Sequence, residues 1–178
     1  NQLFGPNPFF FRLPNILAHF GSAFLIFVIL RKLSNQAVAI FSATIFAVHP
    51  IFTESVTWIS GGGYSLSTFF ILASFLFYLK DKNWKSIFLF YLALLSSEKS
   101  IVLPLILFIY ELAFGNLKTE WKKLIPFFLL NSIWIVLLFT QIGTRINSLQ
   151  TSFSAGQTHL NPFIQIPIAV TSYLQLIF

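Results

Sequence analysis

The amino-acid sequence predicts an all-α, polytopic membrane bundle with about six complete spans and the start of a seventh. Hydrophobic residues make up 56% of the 178 residues and charged residues 9%, against about 25% charged in soluble domains. The chain holds 24 Phe, more than a soluble core of this size would bury. Apolar runs in lipid must satisfy their backbone hydrogen bonds internally, which favours helices, and the period-two alternation of membrane β-strands is absent.

Six apolar runs predict the spans, which we name A to F, within a single transmembrane domain over residues 1–178. They cover residues 13–30, 36–52, 64–79, 84–97, 101–114 and 124–142. A and F are long enough to cross a bilayer, whereas B, D and E fall short of the ~20 residues required. D and E (84–114) are therefore two tilted crossings or one re-entrant hairpin. Two crossings are preferred because Lys82, Lys85 and Glu98–Lys99 give them polar ends. Residues 164–178 begin a seventh apolar run.

The basic residues predict which turns face the cytoplasm. Eight of the eleven lie in one alternating set of turns: Arg31, Lys32, Lys80, Lys82, Lys85, Lys118, Lys122 and Lys123. The other set holds only Arg12, Lys99 and Arg145. Cytoplasmic loops carry the excess of Lys and Arg, so residues 49–64, Glu98–Lys99 and the polar stretch 147–161 are expected outside. That stretch, with Gly156 within it, is expected to be a flexible loop or lid.

Composition also excludes some classes of function. The basic residues form no stripe, which argues against a nucleic-acid partner. The chain has no Cys, so it has neither a disulfide nor a thiolate metal site. We expect no cofactor within this chain, and the use of a divalent metal stays open. The chain also lacks Met and starts at Asn1, from which we expect a piece of a longer protein.

His49 and Glu54 are the first candidates for chemistry. Pro50 suits the first turn of a helix, which places His49 at the cap and Glu54 one turn in. Glu54 would act as a base or orient an acceptor hydroxyl, and His49 would donate to a phosphate or sugar. The alternative is a polar helix end at the interface, anchored by Trp58.

The glycine triplet before Tyr64 is a second candidate. Gly62 and its neighbours free backbone N–H groups that can approach a phosphate. With no strand before it, the triplet is no dinucleotide fingerprint, and it can equally be a tight turn.

Glu98 and Lys99 form the other charged outer pair, and Arg145 follows span F. Lys99 is a compact cation suited to neutralising a lipid phosphate, and Arg145 would clamp the same group. The alternative is an ion pair that marks a helix end and contributes little energy.

Within the spans, Asn15 and His19 share one face of span A, continued by Ser22. Polar groups in such positions usually hydrogen-bond neighbouring helices. Glu111, at the end of span E, is expected to pair with Lys118 or Lys122.

Three stretches resemble one family in their order and spacing. They are Asn15 with His19, His49-Pro-x-x-Thr-Glu54-Ser-Val-x-Trp-Ile-Ser-Gly61, and Leu95-Ser-Ser-Glu98 before Pro104. The chain resembles, over residues 15–111, the GT-C membrane glycosyltransferases related to protein O-mannosyltransferases, notably those bearing tetratricopeptide repeats and their bacterial relatives.

The resemblance implies a fold, an activity and a location. The family moves a sugar from a polyprenyl- or dolichyl-phosphate donor to an acceptor hydroxyl, on a protein or glycan, at the outer face of the membrane. A bacterial inner membrane is the implied location. The family's catalytic carboxylate follows its first span, so that span with its outer loop, and the carboxy-terminal part, are expected to lie outside this chain.

Some positions depart from the family's pattern. Gly62 and Tyr64 stand where an Arg and a carboxylate are frequent, Ser97 where a Lys is frequent, and Phe52 where a second His is frequent. Two other hypotheses therefore stay open. The first is a transporter or lipid flippase, which expects an internal repeat and polar residues at mid-membrane. The second is an inactive scaffold derived from the transferase.

Overall fold

The computed structural model describes residues 8–57, 62–115 and 117–154, with the side chains of 12–57, 63–115 and 120–140. These residues are helical with no strand, which confirms the all-α prediction for this part of the chain. The helices are α1 (Pro8–Leu33), α2 (Gln36–Val48), α3 (Thr53–Thr57), α4 (Gly62–Tyr78), α5 (Asn83–Ser96), α6 (Leu103–Ala113) and α7 (Leu117–Ser154). Two 3₁₀ turns, Pro50–Phe52 and Glu98–Val102, precede α3 and α6.

Fewer helices than predicted are long enough to cross a membrane. Within the described residues, Arg12–Leu33 and Glu120–Thr140 reach the required length and apolarity, and a third span results if α2 and its continuation to Thr57 count as one. At 1.5 Å per residue, the 14 residues of α5 extend about 21 Å, against a hydrocarbon core of about 30 Å. These helices account for two spans, or three with α2 and its continuation, and six complete spans stay a prediction.

The helix α1 packs along α2 and α4, and α4 also packs along α5. A core cluster joins α1 and α4 and comprises Leu25, Ile29, Ala73, Leu76 and Leu79. These side chains recur every three or four residues, the spacing of one helix face. This packing holds the carboxy-terminal ends of α1 and α4 beside each other.

Two buried serines connect α4 to α5. Ser74 Oγ donates to the Ser86 carbonyl oxygen over 2.8 Å, and Ser86 Oγ donates to the Ser74 carbonyl oxygen over 2.7 Å. Both side chains are fully buried. Small hydroxyl residues allow apolar helices to approach closely and to hydrogen-bond across the contact.

The turn between α4 and α5 holds an ion pair. Asp81 adopts a positive φ of 56°, which Asp tolerates better than most residues. Its carboxylate lies 2.7 Å from Lys123 Nζ, and the same ammonium lies 2.6 Å from Glu120. The hydrogen bond from Lys123 holds the pKa of Asp81 below its ordinary value of 3.8. Lys32 also donates to the carbonyl of Leu79, so basic residues from α1 and α7 meet the turn between α4 and α5 at this end of the bundle.

The helix α7 corrects the prediction for residues 147–161. It continues to Ser154, so residues 147–154 are helical rather than a flexible loop. No Pro or Gly interrupts the sequence between Gly143 and Gly156. Residues 155–161, and the seventh apolar run at 164–178, lie outside the described residues. The chain from Ile133 onward forms a second compact unit.

Candidate functional site

His49 ends one helix and begins the next. Its backbone is extended, it closes α2, and its side chain caps the 3₁₀ turn that starts at Pro50. The Ile51 N–H donates to His49 Nδ1 over 3.2 Å. In that arrangement the neutral imidazole carries its proton on Nε2, which leaves an N–H free to donate to a ligand. The break bends the chain by 50° because Pro50 has no N–H with which to continue α2.

An aromatic cluster packs against this bend. The ring of Phe52 lies 6.3 Å from His49, 5.8 Å from His19 and 4.4 Å from Phe46, measured between ring centres. His19 stacks on Phe46 at 4.9 Å, and its Nε2 donates to the Ala47 carbonyl over 3.2 Å. His19 therefore holds α1 to α2, through a neighbouring-helix hydrogen bond of the kind expected from its position.

The other two polar residues of that helix face behave differently. Ser22 donates to the Ala18 carbonyl of its own helix over 2.8 Å and so does not reach a neighbour. Asn15 is buried, with 3% of its surface exposed, and its Nδ2 has no hydrogen-bond partner among the described residues.

Glu54 lies in the first turn of α3 with its side chain exposed. In the described part of the chain, no hydrogen bond or ion pair engages its carboxylate, which leaves it available to a ligand. The 3₁₀ turn Pro50–Phe52 separates His49 from Glu54, so the two residues do not lie on one continuous α-helix. Ser65 Oγ donates to the Ser55 carbonyl over 2.9 Å, which ties α3 to the start of α4.

The described part of the glycine triplet begins α4 rather than forming an open turn. Gly62 is its first residue, and Gly61 lies outside the described residues. A Cβ on Gly63 would lie 2.5 Å from the Ser96 carbonyl oxygen, closer than atoms can pack. Glycine at position 63 thus permits the close approach of α4 to the end of α5.

Lys99 and Tyr64 meet at this contact. Ser97 caps the second 3₁₀ turn, and its hydroxyl accepts from the Lys99 N–H over 3.3 Å. The cap directs the chain so that Lys99 Nζ lies 4.0 Å from the centre of the Tyr64 ring. A cation over an aromatic face at this distance is attracted by the ring quadrupole. Tyr64 is 47% exposed and Lys99 is also exposed, so the ammonium remains accessible to an anion.

The structure gathers most of the predicted site residues at one end of the bundle. His19 and His49 meet through Phe52, and Tyr64 meets Lys99. The Ser55–Ser65 and Gly63–Ser96 contacts connect these two groups through α4. Glu98 adjoins Lys99 in the same 3₁₀ turn. Arg145 lies in α7 within the second unit, and its side chain is outside the described residues.

Glu111 pairs with a tyrosine rather than with Lys122, and the side chain of Lys118 lies outside the described residues. Glu111 Oε1 accepts a hydrogen bond of 2.7 Å from the Tyr78 hydroxyl, and Lys122 forms no ion pair with it. Glu111 is 5% exposed, and a Cβ on Gly115 would collide with its Oε2. Long lysine side chains extend to water, whereas the carboxylate points into the helix contact.

Sequence reasoning missed two features. One is the aromatic cluster around His49, and the other is the hydrogen bond between Tyr78 and Glu111. Phe46 follows the i, i+3 and i+6 pattern with His49 and Phe52, which is a usable signal. Among the described residues, no group of three His, Asp or Glu side chains is placed to hold a metal ion.

Comparison with known proteins identifies the family. Residues 1–143 match the family model described as dolichyl-phosphate-mannose-protein mannosyltransferase. The chain belongs to this family. That membership confirms the resemblance drawn from the three motifs. No solved structure matches the chain.

The similar curated proteins are O-mannosyl-transferases. Protein O-mannosyl-transferase TMTC3 of Mus musculus is 32% identical over 58% of this chain and 12% of its own length. The Homo sapiens protein of the same name is 28% identical over 87% of this chain and 20% of its own length. Protein O-mannosyl-transferase F38B6.6 of Caenorhabditis elegans is 28% identical over 62% of this chain and 17% of its own length. The chain thus spans a fifth or less of these relatives.

Proposed function

We propose that the protein containing this chain is a GT-C-type glycosyltransferase that moves a mannose-like sugar from a polyprenyl-phosphate donor to an acceptor hydroxyl. The observation that carries the proposal is the exposed group formed by Lys99 and Tyr64, connected through α4 to His49 and Glu54. Family membership supplies the reaction class. The excess of basic residues in the opposite turns supports an outer-face location.

Lys99 is the proposed contact for the donor phosphate. When the bond between the sugar C1 and the phosphate oxygen breaks, the departing polyprenyl phosphate gains negative charge. An ammonium group fixed nearby stabilises that charge more in the transition state than in the bound donor, which is the condition for faster reaction. The Tyr64 ring holds the lysine over the site. Unlike a carboxylate, the ring does not neutralise the charge of the ammonium group. Glu98, Arg145 and the N–H of Gly62 are the remaining proposed contacts of the donor.

His49 and Glu54 are the proposed contacts of the sugar and acceptor. The free Nε2–H of His49 donates to a sugar hydroxyl, and the carboxylate of Glu54 accepts from the acceptor hydroxyl. The acceptor oxygen attacks C1, its proton passes to a general base, and Glu54 keeps the hydroxyl oriented during this step. The expected partners are therefore membrane lipid, the lipid-linked donor, and a protein or glycan acceptor.

A Glu54→Gln variant of the full-length protein tests the acceptor role. Gln keeps the size of the side chain and removes its charge. Initial rates in membranes, measured against acceptor concentration, should show a raised KM or lowered kcat for the acceptor, with the KM for the polyprenyl-phosphate sugar unchanged. Asp81→Asn, at the other end of the bundle, is the matched control. Normal transfer by Glu54→Gln would remove Glu54 from the mechanism.

A further inference from the structure

A groove lies between the end of α4 and the start of α5, at the end of the bundle that carries the basic turns. It has a volume of about 370 Å³ and is lined by Phe77, Trp84, Lys85, Phe88 and Leu89. Four of the five side chains are apolar or aromatic, so the wall suits a hydrocarbon chain. No carboxylate, amide or hydroxyl side chain is among these lining residues.

Two ammonium groups lie at this groove. Lys85 Nζ is 5.8 Å and Lys80 Nζ is 6.0 Å from the centre of the Phe77 ring. The nearby acid, Asp81, is already engaged by Lys123 at 2.7 Å. The positive charge of Lys80 and Lys85 is therefore not neutralised by an acidic partner within the described residues.

Trp84 marks the level at which this groove meets the membrane surface. It is 80% exposed although it begins an apolar helix. Exposed tryptophans next to apolar helix faces are typical of the interface between hydrocarbon and water, where the ring sits at the level of the headgroups. Lysines at the same level lie where lipid phosphates are found.

We propose that this groove binds an anionic phospholipid of the surrounding bilayer. Lys80 and Lys85 hold the headgroup phosphate, and one acyl chain lies along Phe77, Phe88 and Leu89. The charge of the lysines selects an anionic over a zwitterionic lipid, and the apolar wall selects a lipid over a soluble phosphate. The site is separate from the proposed transferase site and does not depend on it.

Photocrosslinking tests whether an anionic lipid binds at this groove. The full-length protein is placed in phosphatidylcholine nanodiscs that contain a small fraction of phosphatidylglycerol with a diazirine-bearing acyl chain. The same diazirine on phosphatidylcholine is the reference lipid. Labelling of residues 83–96 is then quantified after a non-tryptic digestion, so that all variants give the same peptides. Phosphatidylglycerol should label this segment more strongly than phosphatidylcholine at equal mole fraction.

The matched variants are Lys80→Gln/Lys85→Gln and, in the same turn, Lys82→Gln. Each lysine near an anionic lipid contributes about fivefold in affinity, so the double variant should bind phosphatidylglycerol about 25-fold more weakly, and its labelling should fall to the phosphatidylcholine level. Lys82→Gln should stay close to the parent. Equal labelling by the two lipids, or undiminished labelling of a folded double variant, would overturn the proposal. Protection of the segment by soluble glycerol phosphate would also overturn it, because the site would then be one for a free phosphate.

Discussion

Lys99 Nζ lies 4.0 Å from the centre of the Tyr64 ring, joining the 3₁₀ turn after α5 to the start of α4. These two residues stand at or beside positions where the resemblance led us to expect a lysine and a carboxylate. An aromatic face attracts the ammonium but, unlike a carboxylate, does not cancel its charge. The pair therefore holds an ammonium group at an exposed position.

Variants at Tyr64 should separate the contribution of the aromatic ring to donor binding from that of its hydroxyl. Tyr64→Phe keeps the aromatic face, so the KM for the polyprenyl-phosphate donor should be unchanged. Tyr64→Leu removes an interaction of about 0.5–1 kcal/mol, which corresponds to a rise in the donor KM of about two- to fivefold. Initial rates against donor concentration measure both values. Equal KM values for Phe and Leu at position 64 would show that the ring does not position Lys99.

Gly63→Ala should destabilise the helix contact, because the new Cβ would collide with the Ser96 carbonyl oxygen. Backbone must move to make room, and overpacking of this kind costs about 1–3 kcal/mol. Gly21→Ala is the control, since there the new Cβ meets the ring of Phe69, a side chain that can rotate away. Thermal unfolding in detergent should give a lower Tm for Gly63→Ala than for Gly21→Ala. The reverse order would contradict this packing.

Ser74 and Ser86 should be energetically coupled. A double-mutant cycle with Ser74→Ala, Ser86→Ala and the double variant isolates their interaction. Hydrogen bonds of this kind between membrane helices average about 0.6 kcal/mol and reach about 1.7 kcal/mol. The cycle isolates the direct contact between the two hydroxyls, whose oxygens lie 3.1 Å apart, because the carbonyl acceptors belong to the backbone and remain in every variant. We expect a coupling of this size, measured by reversible unfolding in detergent. Strict additivity of the single variants would show that the direct contact between the two hydroxyls does not stabilise the α4–α5 contact.

Asp81 should give the fold a dependence on acidic pH. Its pKa in the folded chain is lowered below 3.8, chiefly by the hydrogen bond from Lys123. The stabilising contribution is therefore fully present above that ordinary value and is lost as the pH falls through the lower, folded-state pKa. Asp81→Asn tolerates the same backbone conformation and should lack this part of the pH dependence.

The comparison that checks this is the Tm of the parent minus that of Asp81→Asn, at pH 7 and at pH 3. The difference should shrink at the lower pH, and also at high salt because the carboxylate is exposed. A difference that stays constant across this range would show that the ion pair contributes nothing.

The sequence predicted those structural features that depend only on residues close together in the chain. The His49 cap followed from Pro50, whose missing N–H suits a first helical turn, and the structure places His49 at that cap. The long apolar runs predicted helices, and helices are found. The break between spans D and E was also predicted, and the structure has the Ser97 cap and the 3₁₀ turn Glu98–Val102 between α5 and α6.

Contacts between residues distant in sequence were not predictable in the same way. Tyr64 and Lys99 are 35 positions apart, and Tyr78 and Glu111 are 33 apart. Their pairing depends on how α4, α5 and α6 pack. Gly63 was expected to serve a turn or a phosphate contact, whereas its contact is with the end of α5. Charge matching suggested a lysine for Glu111, but burial favoured the nearby Tyr78 hydroxyl.

The central claim is that Lys99 meets the donor phosphate of a sugar-transfer reaction, and a transfer assay on the full-length protein tests it most directly. Membranes containing the parent, Lys99→Ala or the control Lys82→Ala at equal abundance are supplied with radiolabelled polyprenyl-phosphate mannose. The parent should transfer label, Lys82→Ala should match it, and Lys99→Ala should be slower by about 100-fold, the loss typical for one group that stabilises transition-state charge. Transfer by Lys99→Ala at the parent rate would contradict the phosphate role. No transfer by the parent from any polyprenyl-phosphate sugar would contradict the transferase account and favour an inactive scaffold.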